Sequence, residues 1–418
     1  MKRVEEINDR IEKGEAIIVT AQEFKEKIRK NEVVKVKDVD VVTTATCALM
    51  SGTAAIMSIP VAERGAFETA HKVWLNDVPA YPGPCPNERL GIVDVIVYGT
   101  AHSISQPRRY GGGHLFRELV EGKEVEVKVE NNSGKMFMNR IRINDLKFAR
   151  MFTTRSAFKN YMAFLNSKED EVESIFSVTK LKGPYEEISI SGCGEINPVE
   201  NDPKLATIGV GTRVLLNGAP GHIIGEGTRS SEGKRNLSIV ADMFEMDPLF
   251  MGGFKTSKGP ECITSVAIPI PVLRDEVLSN LKILDENIEL PIADIHDRIP
   301  FAESNYAEVW RNTDLEICFD ATRCRGHEIC EVERYCPTNA FVKLRSIDKN
   351  RCFNCGACVY LCPEHAFVGN LGSIEIERDI PITLRQSDRM RANDLCQRLK
   401  KMIQKKQFLL VEPVEQLR

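Results

Sequence analysis

The sequence lacks any long run of basic residues, and no basic block is longer than the pairs Lys400-Lys401 and Lys405-Lys406. With 56 basic and 60 acidic side chains, the formal net charge is −4. Proteins bind nucleic acids through clustered positive charge that neutralises the phosphates. The composition therefore gives no indication of a nucleic-acid partner.

The sequence also lacks the apolar region of a signal peptide behind its opening residues 1–6. It nevertheless carries 13 cysteines. Disulfides form in oxidising compartments, so in a chain without an export signal we expect free thiols and metal ligands instead. The sequence predicts a cytoplasmic protein from an oxygen-poor cell.

One segment without charge, Val41 to Ala62, is long enough to raise the question of a membrane span. Threonine, serine, glycine and proline interrupt it, and leucine, isoleucine and phenylalanine are scarce in it. This composition suits a lipid environment poorly. We expect a strand buried within the protein and no membrane span.

Against these absences stands one dense motif, C-x2-C-x2-C-x3-C-P, formed by Cys352, Cys355, Cys358, Cys362 and Pro363. Bacterial-type ferredoxins use this spacing to hold 4Fe-4S clusters, and the fourth cysteine reaches the other cluster of a pair. A second half lies upstream in altered form, with Cys324, Cys330 and Cys336 followed by Pro337. The motif predicts two 4Fe-4S clusters and electron transfer; buried cysteines or a zinc site are the alternative interpretation.

The pairing rule assigns Cys336 to the cluster of Cys352, Cys355 and Cys358, which completes a set of four. The other cluster receives Cys324, Cys330 and Cys362 and lacks one ligand. Cys318 is our first candidate for that position, and His327, which stands where the middle cysteine of a triplet would be, is the second. A three-iron cluster, or no cluster, are the remaining alternatives.

The length of 418 residues exceeds one ordinary core, so two or three domains are expected. Strand and helix patterns alternate irregularly, which predicts an α+β fold with a mixed-sheet core and an inserted two-cluster ferredoxin-like domain. The expected parts are a core at 1–312, the ferredoxin-like domain at 313–370 and a strand-helix segment at 371–418 that completes the core. Local patterns predict helices at 144–152, 156–166 and 388–404.

Several polar or glycine-rich motifs are candidates for substrate binding. The triplet Gly111-Gly112-Gly113 precedes a predicted helix, where backbone N–H groups can bind a carboxylate or phosphate. His114 and the pair Asn76-Asp77 lie in similar surroundings. The alternative for each is a structural role in a tight turn.

Two cysteines outside the cluster motifs are candidates for a reactive thiol. Cys47 lies in the charge-free segment, and Cys193 lies within Ser191-Gly192-Cys193-Gly194. A reactive thiol needs partial exposure and nearby positive charge, which a sequence does not display. An inert buried cysteine is the alternative in both cases.

Six segments, residues 42–46, 73–81, 110–114, 201–203, 207–213 and 269–273, together resemble the L-aspartate-semialdehyde sulfurtransferases of homocysteine biosynthesis. The branch that carries its own cluster domain, methanogenesis marker protein 16, is the most similar in organisation. Residues 399–403 and 408–414 resemble the end of that family's core. The resemblance therefore implies that the ferredoxin-like domain is inserted in the core.

The resemblance implies that sulfur is incorporated into a small anionic aldehyde, with two electrons supplied by the clusters and Cys47 or Cys193 as sulfur carrier. The family, however, places a cysteine in a Met-Cys-Ser-Ser stretch that here reads Met50-Ser51-Gly52-Thr53, and a second one within about 129–142, where this chain has none. A non-catalytic electron-transfer or iron–sulfur delivery protein associated with methanogenesis is therefore the alternative. The expected partners are a small-molecule substrate, a sulfur donor and an electron donor, and an oligomer is compatible with the sequence.

Overall fold

The structure is a computed structural model of the chain, and it describes residues 1–83, 85, 88–159, 161–342 and 346–417. Within these ranges the α-helices are α1 Val4–Lys13, α2 Ala21–Arg29, α3 Gly112–Val120, α4 Pro198–Asn201, α5 Asp275–Asn280, α6 Tyr306–Trp310, α7 Glu331–Tyr335, α8 Ala357–Leu361 and α9 Arg389–Gln404. None of the helices in the described ranges is long and apolar enough to cross a bilayer.

The strands are β1 Ile18–Thr20, β2 Val41–Leu49, β3 Thr53–Pro60, β4 Ala70–Leu75, β5 Val78–Pro82, β6 Ile92–Tyr98, β7 Val125–Asn131, β8 Met136–Ile141, β9 Phe148–Ser156, β10 Ala163–Leu165, β11 Ile188–Ile190, β12 Gly209–Val210, β13 Arg213–Leu216, β14 Ala219–Glu226, β15 Leu237–Asp242, β16 Gly252–Thr256, β17 Gly259–Pro271, β18 Glu289–Asp294, β19 Pro300–Asn305, β20 Cys318–Phe319, β21 Phe341–Val342, β22 Ser346–Ile347, β23 Phe367–Val368, β24 Ser373–Glu375, β25 Asp379–Arg385 and β26 Glu415–Gln416.

A large mixed sheet forms most of the core, with the strand order β1-β2-β17-β13-β14-β15-β9-β3-β6-β5-β4-β7-β8 and with β16 paired to β17. Strands β1 and β2 run parallel, whereas β2 and β17 are antiparallel over nine residue pairs. Both β2 and β17 are buried along nearly their whole length. This confirms the prediction that the charge-free segment forms a buried strand, because strands covered on both faces carry few charges.

Helix α9 covers β2 and β17 with the apolar face formed by Leu395, Leu399 and Ile403, all fully buried. The Thr43 hydroxyl of β2 donates a hydrogen bond of 3.0 Å to the carbonyl oxygen of Cys396 in α9. The end of the chain therefore packs on one of its first strands, and the helix predicted at 388–404 is confirmed.

A second sheet has the order β19-β18-β10-β11-β25-β24 and joins segments from both sides of the cysteine-rich region. Strand β10 runs parallel to β18, and β11 runs parallel to β25. The strands before residue 313 and after residue 370 thus belong to one sheet. The mixed α+β class is confirmed, whereas the division into a core and an inserted ferredoxin-like domain stays a prediction.

The cysteine-rich region contains two short antiparallel pairs, β20 with β23 and β21 with β22, together with α7 and α8. Its two halves are alike: each five-residue helix ends at a Cys-Pro step, and a left-handed residue follows, Asn339 or His365. The rings of Phe319, Phe341 and Phe367 pack together with centroids 4.8–5.1 Å apart. This apolar contact continues into the core beneath the second sheet.

The helices predicted at 144–152 and 156–166 are wrong in the described residues, because β9 occupies Phe148–Ser156 and β10 occupies Ala163–Leu165. Asn160 lies outside the described residues. Along β9 the side chains of Ala149, Met151 and Thr153 are buried and alternate with more exposed ones. A burial period of two residues is that of a strand, and packing into the large sheet outweighs the helix propensity of the segment.

Candidate functional site

Cys336, Cys352, Cys355 and Cys358 lie together where the cysteine-rich region meets the core. Cys336 ends α7, Cys352 and Cys355 lie in the loop before α8, and Cys358 is in the first turn of α8. Burial raises the pKa of Cys358, and the negative charges of its three neighbours raise that pKa further. Burial likewise raises the pKa of Cys352 to about 11. The fold thus brings together the four cysteines that the pairing rule joins.

The sulfur atoms of this group accept hydrogen bonds from the backbone. The N–H of Asn354 lies 3.4 Å from the Sγ atom of Cys352, and the N–H of Ala340 lies 3.3 Å from the Sγ atom of Cys336. Such donors stabilise thiolates that bind iron–sulfur clusters and tune their potentials. Across the described ranges, no three His, Cys, Asp or Glu side chains converge as a single metal ion would require. Cluster ligands each bind a different iron atom, so they do not converge as the ligands of a single ion do.

A cavity of about 400 Å³ marks the second group of cysteines. Cys324, Cys330 and Cys362 line it, and so does His327. The Nε2 atom of His327 lies 2.9 Å from a carboxylate oxygen of Glu364, which leaves Nδ1 free to act as a ligand. The cavity therefore has three thiols and one oriented imidazole on its wall.

Cys318, the first candidate for the fourth ligand, is not part of this wall. Its neighbour in β20, Phe319, packs against Phe341 and Phe367, both of which line the cavity. Successive side chains of a strand point to opposite faces, so Cys318 faces away and is exposed. The geometry favours His327 over Cys318 at the fourth position.

Cys47 and Cys193 lie side by side in the core, and both are fully buried. The Sγ atom of Cys193 is 3.8 Å from the carbonyl oxygen of Cys47, and the Thr46 hydroxyl is 3.6 Å from the same sulfur. Burial raises the pKa of both thiols. The two candidates are thus brought together, but as neutral thiols shielded from solvent.

Gly192 determines the backbone conformation next to Cys193. Gly192 has a φ of +117°, and a Cβ atom there would lie 2.1 Å from the hydroxyl oxygen of Tyr306. That hydroxyl donates to the carbonyl oxygen of Ser191 at 2.7 Å, and Ser387 accepts from the N–H of Gly192 at 2.7 Å. Only glycine combines this backbone conformation with this close approach. The conformation of the Cys193 loop is therefore fixed by its sequence and by its neighbours.

Hydrogen bonds connect the buried thiols to the loop of the four-cysteine group. The N–H of Asp388 donates to the carbonyl oxygen of Cys47 at 3.0 Å, and its carboxylate accepts from the Asn354 amide at 3.1 Å. Arg391 donates to the carbonyl oxygen of Cys352. Cys47, Cys193 and Cys355 also belong to one apolar core cluster. The thiol pair and the four-cysteine group thus form one continuous part of the structure.

Asn76 and Asp77, predicted to bind substrate, form the turn between β4 and β5 with φ values of 47° and 61°. The amide of Asn76 donates to the Tyr110 hydroxyl at 3.2 Å, and the carboxylate of Asp77 pairs with Lys128 at 2.9 Å. Asparagine and aspartate tolerate left-handed turns well. Their observed contacts are those of a structural turn.

The glycine triplet begins α3, but two of its three N–H groups already have partners. The N–H of Gly112 donates to the carbonyl oxygen of Ala101 at 2.9 Å, and the N–H of Gly113 donates to the carbonyl oxygen of Gly99 at 2.8 Å. A Cβ atom on Gly112 would lie 2.0 Å from the carbonyl oxygen of Tyr98. The glycines therefore allow close packing, and these two N–H groups are not available to an anion.

His114 follows the triplet inside α3 and is buried. Both ring nitrogens lack a hydrogen-bond partner among the described residues. Burial lowers its pKa to about 3, and the nearby charge of Lys255 contributes. His114 is neutral at physiological pH and has no opening toward a ligand in this conformation.

Sequence reasoning missed the surroundings of Ser51, the position at which the resembling family has a cysteine. The Ser51 hydroxyl donates to the carboxylate of Glu261 at 2.8 Å, and burial raises the pKa of Glu261. The turn at Gly52 approaches Arg155 so closely that a Cβ atom there would lie 3.1 Å from that of Arg155. A buried carboxyl group thus contacts Ser51, and the side chain of Arg155 begins next to the following residue, Gly52.

Arg155 has no acidic partner within the described residues, and its buried Nε atom makes no hydrogen bond. Its guanidinium lies over the Phe158 ring at 4.8 Å. Burial lowers its pKa, and the positive charges of Arg229 and Arg298 lower it too. These three arginines are far apart in sequence and no local motif links them, so their proximity could not be predicted from the sequence.

Comparison with known proteins places these sites in context. Residues 16–410 match the family described as "Homocysteine biosynthesis enzyme, sulfur-incorporation". Uncharacterized proteins of Methanothermobacter thermautotrophicus and Methanocaldococcus jannaschii are 46% and 45% identical, over 98% and 94% of this chain and 94% and 98% of their own lengths. An L-aspartate semialdehyde sulfurtransferase of Methanocaldococcus jannaschii is 33% identical over 73% of this chain and 62% of its own length. No solved structure matches the chain.

Proposed function

The chain belongs to the homocysteine biosynthesis family of sulfur-incorporating enzymes, and from this premise we propose that it transfers sulfur reductively to a small anionic aldehyde such as L-aspartate semialdehyde. One aldehyde, one hydrogen sulfide, two electrons and two protons give one thiol and one water. The carbonyl carbon gains a C–S bond and a C–H bond, and its oxygen leaves as water. The reaction therefore needs a site for sulfur, a site for the carboxylate and a source of two electrons.

The observation that carries this proposal is the connection between Cys47 and the four-cysteine loop through Asp388 and Asn354. If the cysteine-rich region were an electron carrier with no role in sulfur chemistry, we would not expect it to share an apolar core with a pair of buried thiols. Here Cys47, Cys193 and Cys355 contact the same apolar cluster. Cys47 or Cys193 is the proposed sulfur carrier. A donor that already carries sulfane sulfur loads the thiol as a persulfide, and two further electrons and two protons then release that sulfur as the hydrogen sulfide of the reaction and restore the thiol.

The four-cysteine group and the cavity lined by Cys324, Cys330 and Cys362 are the proposed sites of two 4Fe-4S clusters. Mutual proximity, burial and N–H donors at the sulfur atoms support the first site. The cavity with His327 supports an irregular second site. When bound, two such clusters supply one electron each, which matches the stoichiometry of the reaction.

Arg155 is the proposed partner of the substrate carboxylate. It lies against the Ser51 turn with no acidic group of the described chain paired to it. A guanidinium binds a carboxylate through two parallel hydrogen bonds, which also fixes the orientation of the substrate. Burial raises the pKa of Glu261, which favours its use as a proton donor to the departing oxygen.

A second candidate function is favoured by the full burial of both thiols. Thiols without solvent contact and with raised pKa values are poor nucleophiles. In that case the protein delivers electrons or iron–sulfur clusters to a partner in a methanogen and performs no sulfur chemistry. The catalytic proposal requires the region around α9 to open during turnover.

Anaerobically purified full-length protein with its clusters tests the proposal directly. Homocysteine formation is measured with L-aspartate semialdehyde, a persulfide sulfur donor and a reductant for Cys47→Ala, Cys193→Ala and the matched buried control Cys262→Ala. We expect loss of product in at least one of the first two variants and retention in the control, with unchanged iron and sulfide content. Retention of full activity in both Cys47→Ala and Cys193→Ala would favour the delivery function.

A further inference from the structure

A cleft of about 490 Å³ separates the cysteine-rich region from loops of the core. Six basic side chains line it: Arg108, Arg109, Lys180, Lys182, Lys255 and Arg334. Only two acidic residues on its wall, Glu171 and Glu173, oppose them. Since the whole chain carries a net charge of −4, this cleft is a strongly positive region on a slightly negative protein.

The floor of this basic cleft lies next to both cysteine groups. Tyr335 and Leu361 line it, and they are the last residues of α7 and α8. Cys336 and Cys362 follow them directly, and the pairing rule assigns these two cysteines to different clusters. The N–H of Lys255 donates to the carbonyl oxygen of Pro337 at 2.9 Å. The cleft therefore gives access from solvent to the junction of the two proposed cluster sites.

The positive charge of the cleft is arranged for a large partner. Lys255 is the buried member, and its ammonium already bonds to the carbonyl oxygen of Arg334 at 3.3 Å and to the Asn339 side chain at 2.8 Å. The other five side chains are exposed. A small anion is bound by converging donors in an enclosed site, whereas an exposed ring of charge steers and orients an acidic protein surface.

We propose that the basic cleft docks an acidic one-electron carrier protein, which supplies the reductant of the proposed reaction. The inference rests on the proposed function, because a reductive reaction requires such a donor. Each encounter oxidises one carrier by one electron and reduces the chain by one electron. Two encounters therefore provide the two electrons for one aldehyde, and the protons come from solvent.

Stopped-flow reduction of the full-length, cluster-containing protein tests the docking. The probes are a reduced acidic bacterial ferredoxin and, as a small cationic donor, the reduced methyl viologen radical. The variant Lys180→Glu/Lys182→Glu reverses two exposed charges of the cleft. The control Lys135→Glu/Arg140→Glu makes the same change of charge on β8 and the turn before it, and iron and sulfide are counted in both.

With ferredoxin, we expect the wild-type rate constant to fall steeply as salt is raised, since steering is screened by ions. The cleft variant should react at least about 10-fold more slowly at low salt and show a flatter salt dependence, within the usual range of steering effects. Viologen should reduce both variants as fast as wild type or faster. Equal ferredoxin rates for the cleft variant and the control would overturn the proposal.

Two further outcomes separate this inference from the proposed function. If viologen supports homocysteine formation while charge reversal leaves the ferredoxin rate unchanged, the docking site is refuted and the reaction stands. If the cleft governs reduction by ferredoxin but no homocysteine forms with either donor, the docking site stands and the reaction is refuted. Loss of calorimetric L-aspartate binding in the cleft variant, with an unchanged ferredoxin rate, would reassign the cleft to a small carboxylate.

Discussion

Replacing Asn354 by glycine tests the connection between the four-cysteine loop and the core. Asn354 is 4% exposed, and its amide donates to Asp388 at 3.1 Å while its oxygen accepts from the N–H of Ile317 at 3.2 Å. Its φ of 49° is left-handed, so glycine introduces no backbone strain. The variant removes both hydrogen bonds and leaves two buried polar groups without their partner.

Each buried group that loses its partner costs about 1–3 kcal/mol, so Asn354→Gly should lower the free energy of unfolding by about 2–6 kcal/mol. The matched control is Asn31→Gly, an exposed residue with a φ of 57°, which should change it by less than about 1 kcal/mol. Urea unfolding of anaerobically purified protein, followed by circular dichroism, measures both variants. A loss no larger than that of the control would show that Asn354 does not join the loop to the core.

Three further predictions concern other parts of the molecule. The pKa of His114 is about 3 in the folded protein and 6.5 ordinarily, so the unfolded chain binds the extra proton first as pH falls, and the free energy of unfolding should decline from pH 6.5 toward pH 3 by up to about 5 kcal/mol. His114→Phe should flatten this decline when unfolding is measured against pH. An unchanged profile would contradict the lowered pKa of His114. Gly192→Ala should lower the melting temperature much more than Gly14→Ala, because both positions have positive φ but, of the two, Gly192 is the one where a Cβ atom would meet Tyr306. Equal shifts in melting temperature would show that the Cys193 loop adapts. Cys318→Ala should leave the iron and sulfide content unchanged, whereas His327→Ala should alter the electron paramagnetic resonance spectrum of one proposed cluster. Loss of iron in Cys318→Ala would identify Cys318 as the fourth ligand of the irregular cluster.

Local signals in the sequence explain several features of the local structure. The capping box of Thr20 and Glu23 begins α2, and the Asn217-Gly218 pair makes the turn between β13 and β14 with φ values of 51° and 84°. Such features depend on neighbours in the chain, so a sequence displays them. The buried strand β2 was predicted for the same reason, since a run without charges identifies it.

Features that depend on distant residues were not predictable in this way. The strand β9 was mistaken for a helix because its partners, β3 and β15, are remote in sequence. The isolation of Arg155 from acidic groups and the contact between Asp388 and Cys47 are likewise properties of the folded chain. For the cysteines, the spacing alone predicted which four lie together, because the motif fixes both halves of that group.

The packing of α9 on β2 also determines the order in which the protein can be completed. Strand β2 is made early in synthesis, but helix α9, which contains Cys396 and packs on β2, is made near the end. Strand β11 likewise pairs with the later strand β25. Chains emerge from ribosomes at roughly 5–20 residues per second, so the cysteine-rich region is exposed for several seconds before α9 follows. During this interval the Cys352 loop lacks Arg391 and Asp388, the residues that later hold it closed. Access to the proposed cluster ligands and closure of the core are thus ordered in time by the position of one helix in the chain.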